Sequence, residues 1–175
     1  MRPPRGRRVA VIGYGGGATV QAADDCSRAG LVLPPIPVDI RNELKKFVPV
    51  AGSIFRNPLD IAGVLNNPPK MGQVIRIVSG WKEIDLLILH LGVELSGYPI
   101  SRRNLLQPRA EALIGAARDA DKPVALVVHA VYSAASYQGF FKVRQMCSEA
   151  GLPFYTSIRQ AADAIDKLIG YHQNQ

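Results

Sequence analysis

Apolar residues fall into two alternating patterns along this chain. Short continuous runs, closed by glycine or proline, suit strands buried on both faces, while longer stretches with apolar positions every three or four residues suit amphipathic helices. The clearest runs are Arg8-Val-Ala-Val-Ile12, Asp85-Leu-Leu-Ile-Leu-His90 and Pro123-Val-Ala-Leu-Val-Val128, with shorter ones at Leu31-Val-Leu33 and Pro153-Phe-Tyr155. Helical spacing runs from Ala18 through Ala22, Cys26 and Ala29 to a stop at Gly30. It returns over Pro37 to Phe47, Pro69 to Val78, Ser101 to Ala120, Ser136 to Ala150 and Ser157 to Tyr171. Buried strands alternating with helices predict an α/β fold: three layers, a five-stranded parallel sheet with helices on both faces, in the flavodoxin-like order 2-1-3-4-5. One domain is expected over residues 8–171, with a basic tail or linker remnant at 1–7 and a C-terminal tail at 172–175.

Composition narrows the classes. The chain is 47% hydrophobic and 20% charged, without repeats or low-complexity tracts, as a folded globular chain should be. Its net charge is +7, but Arg2, Arg5, Arg7 and Arg8 supply four of those units, leaving a mildly basic body. No basic stripe with interleaved aromatics follows residue 8, so nucleic acid is not an expected partner. No apolar run approaches a membrane span, no secretory signal is visible, and a cytoplasmic location is expected. Cys26 and Cys147 are read as two free buried thiols, since they lie on separate helices without metal-ligand spacing, and no metal site is expected.

The chemistry-bearing stretch is Val9-Ala-Val-Ile-Gly-Tyr-Gly-Gly-Gly-Ala-Thr19, an apolar strand that runs through glycines into a helix. In a doubly wound sheet the loop after the first strand borders the ligand crevice at the strands' carboxyl ends. Glycine there turns the chain and lets backbone N–H groups approach an anion, and the following helix adds unpaired N–H groups and its positive dipole end. Gly15, Gly16, Gly17, Ala18 and Thr19 are the candidate phosphate-binding residues. The spacing departs from the lysine-containing phosphate loop and fits the dinucleotide fingerprint poorly, with no acidic residue closing the second strand to hold a ribose.

The same stretch resembles the opening of the ligase-CoA domain of NDP-forming acyl-CoA synthetases, such as ADP-forming acetyl-CoA synthetase. Further motifs follow in the family's order: Asn57-Pro-Leu-Asp60, Lys122-Pro-Val124, Glu149-Ala-Gly-Leu-Pro153 and Ala161-Ala-Asp-Ala-Ile165. The chain departs from the family's Gly-Gly-Gly-Pro-Gly turn by having Ala18-Thr19 after the glycines. The resemblance implies a part in the reaction of an acid, CoA and NTP to acyl-CoA, NDP and phosphate, through an acyl-phosphate and a phosphohistidine on a mobile segment. It assigns the Gly15–Thr19 segment to docking that phosphate. The implied partners are CoA-binding, phosphohistidine-bearing and ATP-grasp domains or subunits. CoA and ATP or GTP with magnesium belong to the complete enzyme, and no cofactor is expected on this domain alone. The oligomeric state, homo-oligomers included, is left open.

No catalytic residue is expected in the chain. The Ser-His-Thr-Gly segment that carries the family's phosphohistidine is absent, and so is ATP-grasp machinery, so activity is not expected of this chain alone. His90 ends the second long run and His129 follows the third, at the edge where sites occur, and with Asn57 and Asp60 they are read as residues that would line the site. Each also has a structural reading: Asn-Pro begins turns, aspartate caps helices, and a hydrogen-bonded histidine is common in cores. Arg102 and Arg103 would meet an anion or a neighbouring domain, or simply begin a solvated helix. The alternative function is a non-catalytic regulatory or binding module of the same fold, as in synthetase-like regions of protein acyltransferases. A phospho-acceptor receiver domain would need acidic residues where Gly13-Tyr-Gly and His90-Leu-Gly stand, and a flavodoxin would want hydroxyl-rich phosphate loops.

Overall fold

Continuous apolar runs become the interior strands. The computed structural model describes residues 2–13, 15–64, 67–91, 106–129 and 134–173. Strand β1 (Val9–Gly13), strand β3 (Leu86–Leu91) and strand β4 (Val124–Val128) are buried along their whole length. They pair in parallel, Val9 opposite Leu86 and Leu87 opposite Val124. The edges are two-residue strands: β2 (Leu59–Asp60) beside β1, and β5 (Phe154–Tyr155) beside β4. The five-stranded sheet has the expected order 2-1-3-4-5.

Side chains alternate across the sheet and build two cores. Helices α1 (Gly16–Arg28) and α6 (Ile158–Gln173) cover one face, burying Ala22, Cys26, Ala161 and Ile165 against Val9, Val11, Leu86, Ile88, Ala125 and Val127. Helices α2 (Val38–Lys45), α3 (Pro68–Ser79), α4 (Leu106–Arg118) and α5 (Ala134–Glu149) cover the other. There Leu44, Val74, Leu113 and Val143 meet Ala10, Ile12, Leu87, Leu89 and Leu126. Both thiols are free and buried, and burial raises Cys26 to about 12 and Cys147 to about 11, so they stay protonated.

One predicted strand is corrected. Leu31-Val-Leu33 contributes a single parallel bridge, Val32 to Arg8, and no strand. Pro34 and Pro35 follow it and lack the N–H donors a ladder needs, so pairing stops there. The place beside the far end of β1 goes to Leu59–Asp60, a segment outside the predicted strands and helices, with Ile12 opposite Leu59 and Gly13 opposite Asp60. Between these two short pairings the Asn57 side chain completes the ladder. Its Oδ1 accepts from the Val11 N–H at 3.0 Å, and its Nδ2 donates to the Val9 carbonyl at 2.7 Å and the Pro34 carbonyl at 3.1 Å. The Asn57–Pro58 peptide is cis. A second boundary also moves: α1 begins at Gly16, two residues before the expected start at Ala18, so two of the glycines lie inside its first turn.

The basic N-terminal stretch is seated on the fold. Pro4 is buried, the Arg8 Nε and Nη2 donate to the Asp85 carboxylate at 3.0 and 2.8 Å, and Arg7 pairs with Asp166 of α6. A Cβ on Gly6 would lie 2.5 Å from Asp85 Oδ2, so any side chain there would have to displace the carboxylate that Arg8 holds.

Candidate functional site

The carboxyl ends of β1 and β3 flank the point where the sheet order reverses, the usual crevice of such folds. Gly13 ends β1, and one step past the Ile12–Leu89 pair it stands beside His90 of β3. A Cβ on Gly13 would lie 3.1 Å from the His90 Cβ and 3.2 Å from its Nδ1, so the close approach of the two strands' ends depends on glycine. His129, one residue beyond β4, meets His90 with ring centroids 4.3 Å apart and planes tilted by 56°. Burial, reinforced by His129, pushes the His90 imidazole down to about 3. Burial also lowers His129, against an upward pull from Asp25. At neutral pH the two rings are uncharged, so they add no cation to this edge of the sheet.

The start of α1 has no side-chain cap. Gly15 is the N-cap of α1, with φ of 84°, a left-handed conformation that any other residue adopts at a cost of about 1–2 kcal/mol. It has no side chain to cap with, and no acidic residue occupies the first turn of the helix. The intrahelical ladder starts with the Thr19 N–H, which donates to the Gly15 carbonyl at 3.0 Å. The Gly16, Gly17 and Ala18 amides precede it, and helix geometry gives them no acceptor within the helix. A Cβ on Gly17 would meet nothing within 4 Å, and one on Gly16 only the end of Ile54 at 3.8 Å. Packing against the described residues therefore explains neither glycine, although each weakens the helix relative to alanine.

The other predicted residues divide. The Thr19 hydroxyl donates to the Gly16 carbonyl at 2.7 Å, and the side chain is buried, so Thr19 closes the turn from within. Asp60 is buried and its Oδ1 accepts from the Ala62 N–H at 2.9 Å, capping the short helical turn Ala62–Val64. Asn57 is committed to the backbone of β1 and Pro34, as described. Arg102 and Arg103 lie outside the described residues. Two contacts were not readable in advance. The His90–His129 contact depends on the β3–β4 register. The buried Asp25 of α1 pairs with Arg159 of α6 at 3.3 Å and Arg28 at 3.8 Å, tying together the two helices that cover this face. Among the described residues no three metal-binding side chains gather, and no helix is long and apolar enough to cross a membrane.

Solved structures share this fold. The protein PH0766 from Pyrococcus horikoshii OT3 superposes with a TM-score of 0.82 at 25% identity, over 98% of this chain and 37% of its own. The dinucleotide-forming acetyl-coenzyme A synthetase 1 of Ca. Korarchaeum cryptofilum, solved in an apo form and with phosphate and ADP, superposes with a TM-score of 0.74 at 23% identity. It is matched over 98% of this chain and 34% of its own. The chain thus spans about a third of the length of these multidomain relatives. No curated protein sequence matches it. Residues 9–147 match the ligase-CoA domain, most of the chain including the glycine turn and both histidines, and the chain belongs to the ligase-CoA domain family.

Proposed function

We propose that this chain is the ligase-CoA domain of an NDP-forming acyl-CoA synthetase, and that its glycine turn docks the phosphate that passes between the enzyme's parts. The overall reaction converts an acid, CoA and NTP to acyl-CoA, NDP and phosphate. CoA-binding, phosphohistidine-bearing and ATP-grasp domains supply the remaining machinery. The observation that carries the reading is the uncapped first turn of α1. Gly15 supplies no side-chain cap to the Gly16, Gly17 and Ala18 amides, no acidic residue stands in this turn, and a Cβ on Gly17 would meet nothing within 4 Å among the described residues. Thr19 closes the turn beneath them.

The chemistry follows from the donors. A phosphate dianion or phosphohistidine gains hydrogen bonds from neutral N–H groups and the helix dipole, worth about 0.3–2 kcal/mol for the dipole alone. The uncharged histidines nearby add no salt bridge that would trap it. A group that must arrive and leave in each turnover is served by such donors, fixed in place before the charge arrives. The test is a titration of the isotopically labelled chain with inorganic phosphate, followed by amide shifts. Gly16, Gly17 and Ala18 should respond first and saturate. In Gly17→Leu the new side chain leans back over the helix start and covers those amides, so affinity should fall at least tenfold. No response at these amides, or unchanged affinity in the variant, would defeat the proposal.

A further inference from the structure

At the amino ends of the strands, the far side of the sheet from the glycine turn, lies a cavity of about 440 Å³. The N-terminal strap forms one wall with Arg2, Pro3, Arg5 and Arg8, and the segments entering β3 and β4 form the rest with Lys82, Asp85, Asp121 and Lys122. Asp85 is already committed, accepting from the Arg8 backbone N–H at 3.0 Å as well as from its guanidinium, which holds the carboxyl below its usual range. That leaves Arg2, Arg5, Lys82 and Lys122 facing one hollow with Asp121 as the only other carboxylate in its lining. Arg5, Lys82 and Lys122 form no ion pair with any described residue.

Four cations around one hollow repel one another and focus a positive potential into it. The strap that carries two of them is held in place beforehand. Gly6 crosses Asp85 in close contact, Arg7 is tied to Asp166, and Arg2 Nη2 donates to the Ala120 carbonyl at 3.2 Å. The strap therefore has little backbone freedom left to lose on binding. The volume is in the range of small-molecule sites, about 300–1,000 Å³, and much larger than one phosphate ion. Pro3 and Pro123 supply apolar wall beside the charges.

We propose that this cavity binds a diphosphate-bearing anion, free or as the tail of a nucleoside diphosphate, held by Arg2, Arg5, Lys82 and Lys122. The arginines offer forked donors to phosphate oxygens and the lysines point charges. The site is separate from the glycine turn, and neither proposal depends on the other.

The experiment titrates the labelled chain with pyrophosphate and, in a second arm, ADP without magnesium, at 0.15 M salt. Amides from Lys82 to Asp85 and at Asp121 and Lys122 should shift and saturate, with affinity falling as salt rises. Lys82→Glu combined with Lys122→Glu should weaken binding at least tenfold, and Arg5→Gln alone should weaken it severalfold, while Gly17→Leu leaves it unchanged. Tighter binding of ADP than of pyrophosphate identifies the nucleotide as the source of the anion, and equal binding identifies the free diphosphate. Shifts confined to Gly16–Ala18, or full affinity in the folded Arg5→Gln and double-lysine variants, would overturn the proposal.

Discussion

The side chain of Asn57 fills the place beside β1 that a peptide group would occupy in a continuous strand, with one acceptor and two donor contacts. Asn57→Ala leaves the Val11 N–H and the Val9 and Pro34 carbonyls without these partners. Each unsatisfied buried group costs about 1–3 kcal/mol, so a loss of about 2–4 kcal/mol is expected in urea unfolding. Asn57→Asp keeps the acceptor but turns a carboxylate toward two carbonyls, and should be at least as damaging. At Gly13 the constraint is space: Gly13→Ala would drive its Cβ against the root of His90, and a loss of about 1–3 kcal/mol is expected. His90 sets a pH dependence. The unfolded chain takes up a proton near 6.5 that the folded chain refuses until about 3. The stability this withholds is intact above 6.5 and is lost as pH falls toward 3, at about 1.4 kcal/mol per pH unit. Unfolding measured at pH 7 and pH 5 should show that fall, and His90→Gln should flatten it.

At the level of elements, α1 separates stability from binding. Gly17→Ala adds a methyl group to open space inside a helix, so it should raise the unfolding free energy by up to about 1 kcal/mol. Gly15→Ala should lower it by about 1–2 kcal/mol, because the cap needs positive φ. Thermal unfolding of the two variants gives both signs. The same elements show what sequence can carry. Strands β1, β3 and β4 were legible because five or six consecutive buried residues leave a continuous apolar run. Leu31–Leu33 looked similar over three residues, yet the prolines behind it have no N–H to extend the pairing. Strand β2 left no trace, since a two-residue strand completed by an asparagine from the preceding turn has no periodicity. The glycine turn was readable because consecutive glycines stand between an apolar run and helical spacing. The histidine contact across β3 and β4 was not, because it exists only once the register is set.

Across the whole molecule, the two faces of the sheet are covered by different helices and its two ends carry different chemistry. The glycine turn stands at the carboxyl end and a group of cations at the amino end. Strands of five or six residues separate them by about 17–20 Å. The strap joins the amino end to α6 through Arg7 and Asp166 and to β3 through Arg8 and Asp85. Asp85→Ala removes the acceptor of three Arg8 donors, and the strap should loosen. A stability loss of about 1–3 kcal/mol and faster hydrogen exchange at Arg8 are the expected readouts. The short outer strands have an outcome of another kind. Among the described residues each border strand is two residues long, and beside β1 an amide side chain stands in for the rest of the ladder. An incoming polypeptide would find no long row of free donors and acceptors to copy, so the borders themselves oppose strand-by-strand growth into aggregates.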